Sequence, residues 1–181
     1  MRAQIIILSG PPGAGKSTVA SLLADHFDRS VVLPMDEFFH FIRKGHIAPF
    51  LPDAAQQNEV VSGVLAVAAA RYASEGYTVI LDGIVGPWFL AVYLEAARSE
   101  GLVEVHYIVL RPSSEIALAR AVSRRPHQLT DAEPVAGLYT ALSELGAYEA
   151  HVVDSSLWDP LETANRVLEG VVADDFRLPA P

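Results

Sequence analysis

Gly10-Pro11-Pro12-Gly13-Ala14-Gly15-Lys16-Ser17 is the stretch that decides the fold class. Glycine at its first and sixth positions, then lysine and a hydroxyl residue, is the spacing of a Walker A loop. At average residue usage, a chance match somewhere in a chain of 181 residues is on the order of one per cent. The context also fits: an apolar run at residues 4–8 reads as a strand, and residues 17–27 read as the helix that follows. Gly10, Gly13 and Gly15, with small Ala14 between, let the backbone turn its N–H groups toward a phosphate without Cβ clashes. The helix N-terminus adds its positive dipole end. In this arrangement Lys16 reaches the β- and γ-phosphates, Ser17 offers its hydroxyl to Mg²⁺, and Thr18 lies beside the α-phosphate. The dinucleotide fingerprint G-x-G-x-x-G fails here, because Thr18 stands where its last glycine belongs.

Working outward, strand-like and helix-like runs alternate, which argues for an α/β fold with a parallel sheet and crossover helices. Residues 4–8, 30–34, 77–81, 103–110 and 150–153 read as strands, short and apolar as strands covered on both faces should be. Asp53, with Gln56 three residues on, reads as the cap of a long helix closed by Gly76. Pro87 suits a first helical turn, with Gly101 at the far end. Asp159-Pro160-Leu161-Glu162 combines cap, first-turn proline and back-bonding glutamate, so a last helix starts there. Helices at about 113–124 and 131–145 complete the set. No linker interrupts the pattern, so residues 1–173 read as one domain and 174–181 as a flexible C-terminal tail.

Composition narrows the function classes. Hydrophobic residues make up 51% and charged residues 19%, an ordinary globular balance. Thirteen Lys and Arg against 22 Asp and Glu give a net charge of −9, which disfavours nucleic acid or an anionic membrane as partner. The absence of cysteine excludes disulfides, thiolate metal sites and a cysteine nucleophile. The run at residues 5–8 is too short to span a bilayer and lacks a signal-peptide layout, so a cytoplasmic location is expected.

Two acids stand at the C-terminal ends of strands, where open α/β sheets place their ligands. Asp36 follows Val31-Val32-Leu33-Pro34-Met35 and has the reach to accept a proton from an acceptor hydroxyl. Asp82, after Val79-Ile80-Leu81, has the Walker B form and suits Mg²⁺. Each acid also suits a helix cap. Arg120 and Arg124 share a helix face, and Arg125 precedes a proline; phosphoryl transfer needs such a cation for its spreading negative charge. Residues 36–58 connect strand two to the long helix, mixing Phe38, Phe39, Phe41 and Phe50 with polar groups, and read as the acceptor side. Trp88 and Phe89 suit the other wall. Guanine-binding proteins carry Asn-Lys-x-Asp after a late strand; its absence favours ATP. Motor and AAA-type ATPases are longer and carry oligomer-sensing elements that this sequence does not show.

The loop, the acid after strand two, the Val79-Ile80-Leu81-Asp82-Gly83 segment and the arginine-bearing helix resemble the small P-loop kinases, such as shikimate, gluconate and adenylylsulfate kinases. The nearest likeness is to chloramphenicol phosphotransferase and a related group of bacterial proteins, and residues 45–58, with Pro49-Phe50-Leu51-Pro52 and Gln56-Gln57-Asn58, look especially like that related group. The resemblance covers residues 1 to about 170. It implies a five-stranded parallel sheet in the order 2-3-1-4-5, helices on both faces and a helical lid, here only a short flap. It also implies Asp36 as base, Arg125 in the lid, Arg120 along the adenine, and the turn at Asp154 against the base. Glu37-Phe38-Phe39 departs from the Gly-Asp pair of gluconate kinase.

The expected activity is therefore transfer of the γ-phosphate of Mg-ATP to a hydroxyl of a small molecule. Lys16, Asp36 and Arg125 are the catalytic candidates. Residues 10 and 13–18, Arg120 and Asp154 are the nucleotide candidates, and Ser17 and Asp82 the metal candidates. A nucleotide-dependent switch without transfer chemistry, and a zeta-toxin-like kinase of a nucleotide sugar, are the alternatives.

Overall fold

Runs of consecutive aliphatic residues make stable strands only where both faces of the sheet are covered. The structure, a computed structural model, describes residues 3–101, 104–123 and 131–179. Strands β1 (Ile5–Ser9), β2 (Ser30–Pro34), β3 (Thr78–Asp82), β4 (Val105–Leu110) and β5 (Val152–Val153) form one parallel sheet in the order β2-β3-β1-β4-β5. This is the order that the resemblance implied. β1, β3 and β4 are buried along their whole length.

Side chains alternate across each strand and so divide the core in two. Ile5, Ile7, Val79, Leu81 and Val109 meet α3 (Ala55–Ser74) and α4 (Leu90–Ser99) on one face. Ile6, Leu8, Ile80 and Ile108 meet α1 (Lys16–Ala24) and α7 (Pro160–Val172) on the other. Three further helices, α2 (Met35–His40), α5 (Ser114–Val122) and α6 (Ala132–Ala141), belong to the loops at the strands' C-terminal edge. Among the described residues, no helix is long and apolar enough to cross a membrane.

Local chemistry explains where the sequence expectations hold and where they shift. The capping box at Asp159 and Glu162 forms as expected, with Asp159 accepting the Glu162 N–H and Glu162 accepting the Asp159 N–H. Asp53 does not cap α3. Pro52 starts a 3₁₀ turn at Pro52–Ala54, Asp53 lies inside that turn, and α3 continues from it with no side-chain cap. The last strand is shorter than expected, because a 3₁₀ turn occupies Gly146–His151 and leaves only two residues to pair with Val109 and Leu110.

That short strand also overturns the expected free tail over residues 174–179. It leaves the lower half of β4 with an open edge, and the chain end fills it. Tyr107 N–H donates to Phe176 O at 2.9 Å and Leu178 N–H to Val105 O at 2.8 Å. Phe176 and Leu178 are both buried, and full burial of such side chains contributes about 1.5–3 kcal/mol each toward holding the segment in place.

Candidate active site

The glycine loop connects β1 to α1, and its backbone is set by two contrasting glycines. Gly13 has φ +84, and a Cβ there would lie 2.0 Å from Ala117 O, so α5 packs directly against the loop. Gly15 has φ +92 and open space where its Cβ would be. It is the residue before α1, so the open side looks onto the helix N-terminus. Ser17 and Thr18 are exposed in the first turn, while Lys16 is buried and folds over the loop, its Nζ donating to Gly10 O at 2.9 Å and Pro11 O at 3.1 Å. Open space at Gly15 beside a helix N-terminus, an ammonium and two hydroxyls suits a nucleotide's phosphate tail.

Asp82 is the last residue of β3 and pairs in register with both Leu8 of β1 and Pro34 of β2. It is buried, 8% exposed, on the strand beside the one that feeds the loop. Ser17 hydroxyl and Asp82 carboxylate are the hard oxygen donors that Mg²⁺ takes. Among the described residues no group of three or more His, Cys, Asp or Glu could hold a metal unaided. That suits an ion held mainly by substrate phosphates and water. The residues present therefore fit Mg-ATP.

Asp36 lies not in an open loop but in the first turn of α2, a helix that the sequence reading missed because only six residues form it. Pro34 is the N-cap residue and no side chain caps α2, so Asp36 makes no capping hydrogen bond there. Its carboxylate is exposed. At 100° per residue, Met35 and Phe39 face the core, whereas Phe38, Phe41 and Ile42 face a groove of about 520 Å³ shared with Asp53, Val60 and Val64 of the α3 side. That groove lies on the opposite flank of α2 from Asp36. Two of the aromatics expected beside the acceptor thus look away from the acid expected to act on it. Phe39 is core.

Gln57 is pinned by its own loop, donating to Ile47 O at 2.7 Å and accepting the Ile47 N–H at 2.8 Å. On the other wall, Trp88 is 60% exposed and folds its indole over Gly86.

Arg120 is exposed on α5, one residue before buried Ala121. Asp154 organises its own turn: its carboxylate accepts the N–H and hydroxyl of Ser156, and that hydroxyl accepts the Ser113 N–H at 2.8 Å. This stitches the turn after β5 to the start of α5. Arg124 and Arg125, with the lid expected at 125–130, lie outside the described residues.

Two groups near the site escaped the sequence reading. Arg111, at the end of β4, donates to Leu142 O and Ser143 O at 3.0 Å and pairs with Glu149. The Arg111 guanidinium, helped by the Leu145 N–H, holds the Glu149 carboxyl down at about 2. Ser9 and Tyr107 both hydrogen-bond Val85 in the loop after Asp82. The signal for Ser9 was a hydroxyl ending an otherwise aliphatic strand, and for Tyr107 a phenol inside one.

Comparison with known proteins places this architecture. A cytidylate kinase of Sulfurisphaera tokodaii is 26% identical over 127 residues, covering 66% of this chain and 68% of that protein. A sugar kinase from Janibacter sp. HTCC2649 superposes with a TM-score of 0.70 at 19% identity, over 92% of this chain and 93% of that one. A gluconokinase from Sinorhizobium meliloti 1021 gives 0.69 at 17% identity, over 97% and 95%. Both superpositions show a shared P-loop kinase fold. A family described as AAA domain matches residues 5–137, from β1 into α6. With most of its length inside that match, the chain belongs to the AAA domain family, built on the fold of the small P-loop kinases.

Proposed function

We propose that the protein is an ATP-dependent phosphotransferase that moves the γ-phosphate of Mg-ATP to a hydroxyl of a small molecule. The observation that carries this reading is the shared edge: the open cradle at Gly15, the buried Asp82 and the first turn bearing Asp36 lie at or just after the C-terminal ends of β1, β3 and β2, which lie side by side. Bound there, Mg-ATP supplies the transferable phosphoryl group. Lys16 neutralises the β- and γ-oxygens, and Ser17 and Asp82 hold the metal's oxygen shell. Asp36, exposed and free of a capping role on its own helix, accepts the proton of the acceptor hydroxyl. Arg125 adds positive charge from the lid. Arg120 and the turn at Asp154 sit on the adenine side, and the lack of Asn-Lys-x-Asp favours ATP over GTP.

A second reading takes its support from the cytidylate kinase match: a phosphate acceptor, which needs no general base. One screen separates the two. ATP consumption is measured against hydroxyl-bearing metabolites and antibiotics and, in parallel, nucleoside monophosphates. Turnover with an alcohol supports the proposal. Turnover confined to nucleoside monophosphates replaces it with the second reading, and Mg-ATP binding without transfer to any acceptor leaves a nucleotide-dependent switch.

A further inference from the structure

Residues 83–86 join β3 to the 3₁₀ turn at Pro87–Phe89, and three separate parts of the molecule grip them. Gly83, directly after Asp82, is packed so tightly that a Cβ there would lie 2.6 Å from the Met35 Cβ, and Met35 is the neighbour of Asp36. Gly86 lies under the Trp88 indole, whose nearest carbons would be 2.3 Å from an added Cβ. Between them, two hydroxyls converge on Val85. Ser9 Oγ donates to Val85 O at 2.8 Å and accepts the Val85 N–H at 2.9 Å, while Tyr107 Oη donates to the same carbonyl at 2.8 Å. Ser9 and Tyr107 are fully buried and Val85 is 1% exposed.

Packing alone does not call for this chemistry. Alanine would end β1 and phenylalanine would fill the space of Tyr107 without bringing polar atoms into the core. Both hydroxyls are instead spent on the backbone of one residue three positions past Asp82, and Ser9 is the residue from which the glycine loop departs. Burial pushes the Tyr107 phenol well above its usual range, so it remains a donor at any physiological pH.

We propose that Ser9 and Tyr107 are positioning residues: by clamping Val85 they tie the Asp82 segment to the root of the phosphate cradle, so that the Asp82 carboxylate meets the metal of a bound nucleotide. This rests on the reading of Asp82 as the metal-facing acid. Tyr107→Phe removes one donor to Val85 O and keeps the ring. Ser9→Ala removes the other donor and the acceptor for Val85 N–H. The double variant leaves that carbonyl without a side-chain donor.

The readout is the Mg²⁺-dependent gain in ADP affinity, measured by calorimetry well below the melting temperature, with and without a chelator. Groups that orient a metal-binding side chain typically carry about 10–100-fold in metal affinity. The gain should fall about 2–5-fold in each single variant and by about tenfold or more in the double variant. ADP binding in chelator should stay within about twofold, because Lys16 and the loop N–H groups are untouched. A merely structural role moves both affinities together or neither.

Asp82→Asn is the reference. If it loses the gain while the double variant keeps it, the clamp proposal is overturned and the metal reading stands. If Asp82→Asn keeps the gain, the metal reading falls and takes the clamp's role with it. Adding the double variant to Asp82→Asn should cost nothing more; a further loss overturns a route through Asp82. Should the double variant fail to fold, Tyr107→Phe decides alone, an unchanged gain refuting the proposal.

Discussion

Two neighbouring glycines of the loop should respond to the same mutation in different ways, one chiefly in stability and the other chiefly in nucleotide affinity. In Gly13→Ala the new Cβ lands 2.0 Å from Ala117 O and 2.8 Å from Ala117 C, both backbone atoms of α5. A flexible side chain could turn aside; a helix backbone must move. The left-handed backbone, φ +84, adds its own penalty. Left-handed strain costs about 1–2 kcal/mol for a residue with a Cβ, and forced overpacking about 1–3 kcal/mol, so the sum is about 2–5 kcal/mol. For a domain of this size each kcal/mol moves Tm by about 2–4 °C, which gives a fall of about 4–20 °C. Gly15→Ala, at φ +92 with open space around it, carries only the backbone strain, about 2–8 °C by the same conversion. Its methyl instead occupies the cradle, and Mg-ATP affinity should fall by about tenfold or more, a loss of about 1.4 kcal/mol. Melting curves without nucleotide and calorimetric titrations with Mg-ATP measure both quantities. If Gly13→Ala proves as stable as Gly15→Ala, or if Gly15→Ala binds Mg-ATP like the wild type, the assignment of packing to one glycine and phosphate access to the other is wrong.

Lys16→Ala should abolish transfer while the protein still melts cooperatively, and turnover in a well-folded variant would remove Lys16 from the phosphate site. Asp36→Asn keeps size and most hydrogen bonding but not proton acceptance, so kcat should drop by about 10²-fold or more with ATP affinity unchanged; near-normal transfer to an alcohol would make Asp82 the better catalytic carboxylate. The Glu149 carboxyl sits at about 2 in the folded chain against an ordinary 4.5. Since the folded value is the lower one, its contribution to stability is complete above pH 4.5 and disappears as the pH falls toward 2. The Tm difference between wild type and Glu149→Gln should therefore be largest above pH 4.5 and close on acidification; a difference that is flat through that window would break the link to the Arg111 pair.

The fold was legible because its decisive signals are local. The loop from Gly10 to Ser17 needs its glycines at fixed positions. The central strands are continuous aliphatic runs, and Asp159 with Glu162 can bond each other whatever the rest of the chain does. What the sequence hid depends on partners distant along the chain. Nothing near Asp174 announces that β5 will be two residues long, yet that shortness exposes the edge of β4 and draws Phe176 and Leu178 into the core. Asp53 looked like a cap because an acid precedes a helical run, but Pro52 had already begun the turn, and a residue inside a turn cannot cap it.

The site divides in the same way. Lys16, Ser17 and Asp82 lie where motif spacing put them, because a strand end and a helix start fix each within a residue or two. The acceptor side was less legible, since it depends on which way a short helix faces. Nearness in sequence groups Phe38 and Phe41 with Asp36, yet the two-residue step from Asp36 to Phe38 alone turns a side chain by about 200° along a helix. Nearness in sequence thus put on one wall what helical geometry puts on two. Asp36 and the Phe38–Phe41 groove consequently make separate demands on any acceptor. A ligand that fills the groove does not thereby reach Asp36.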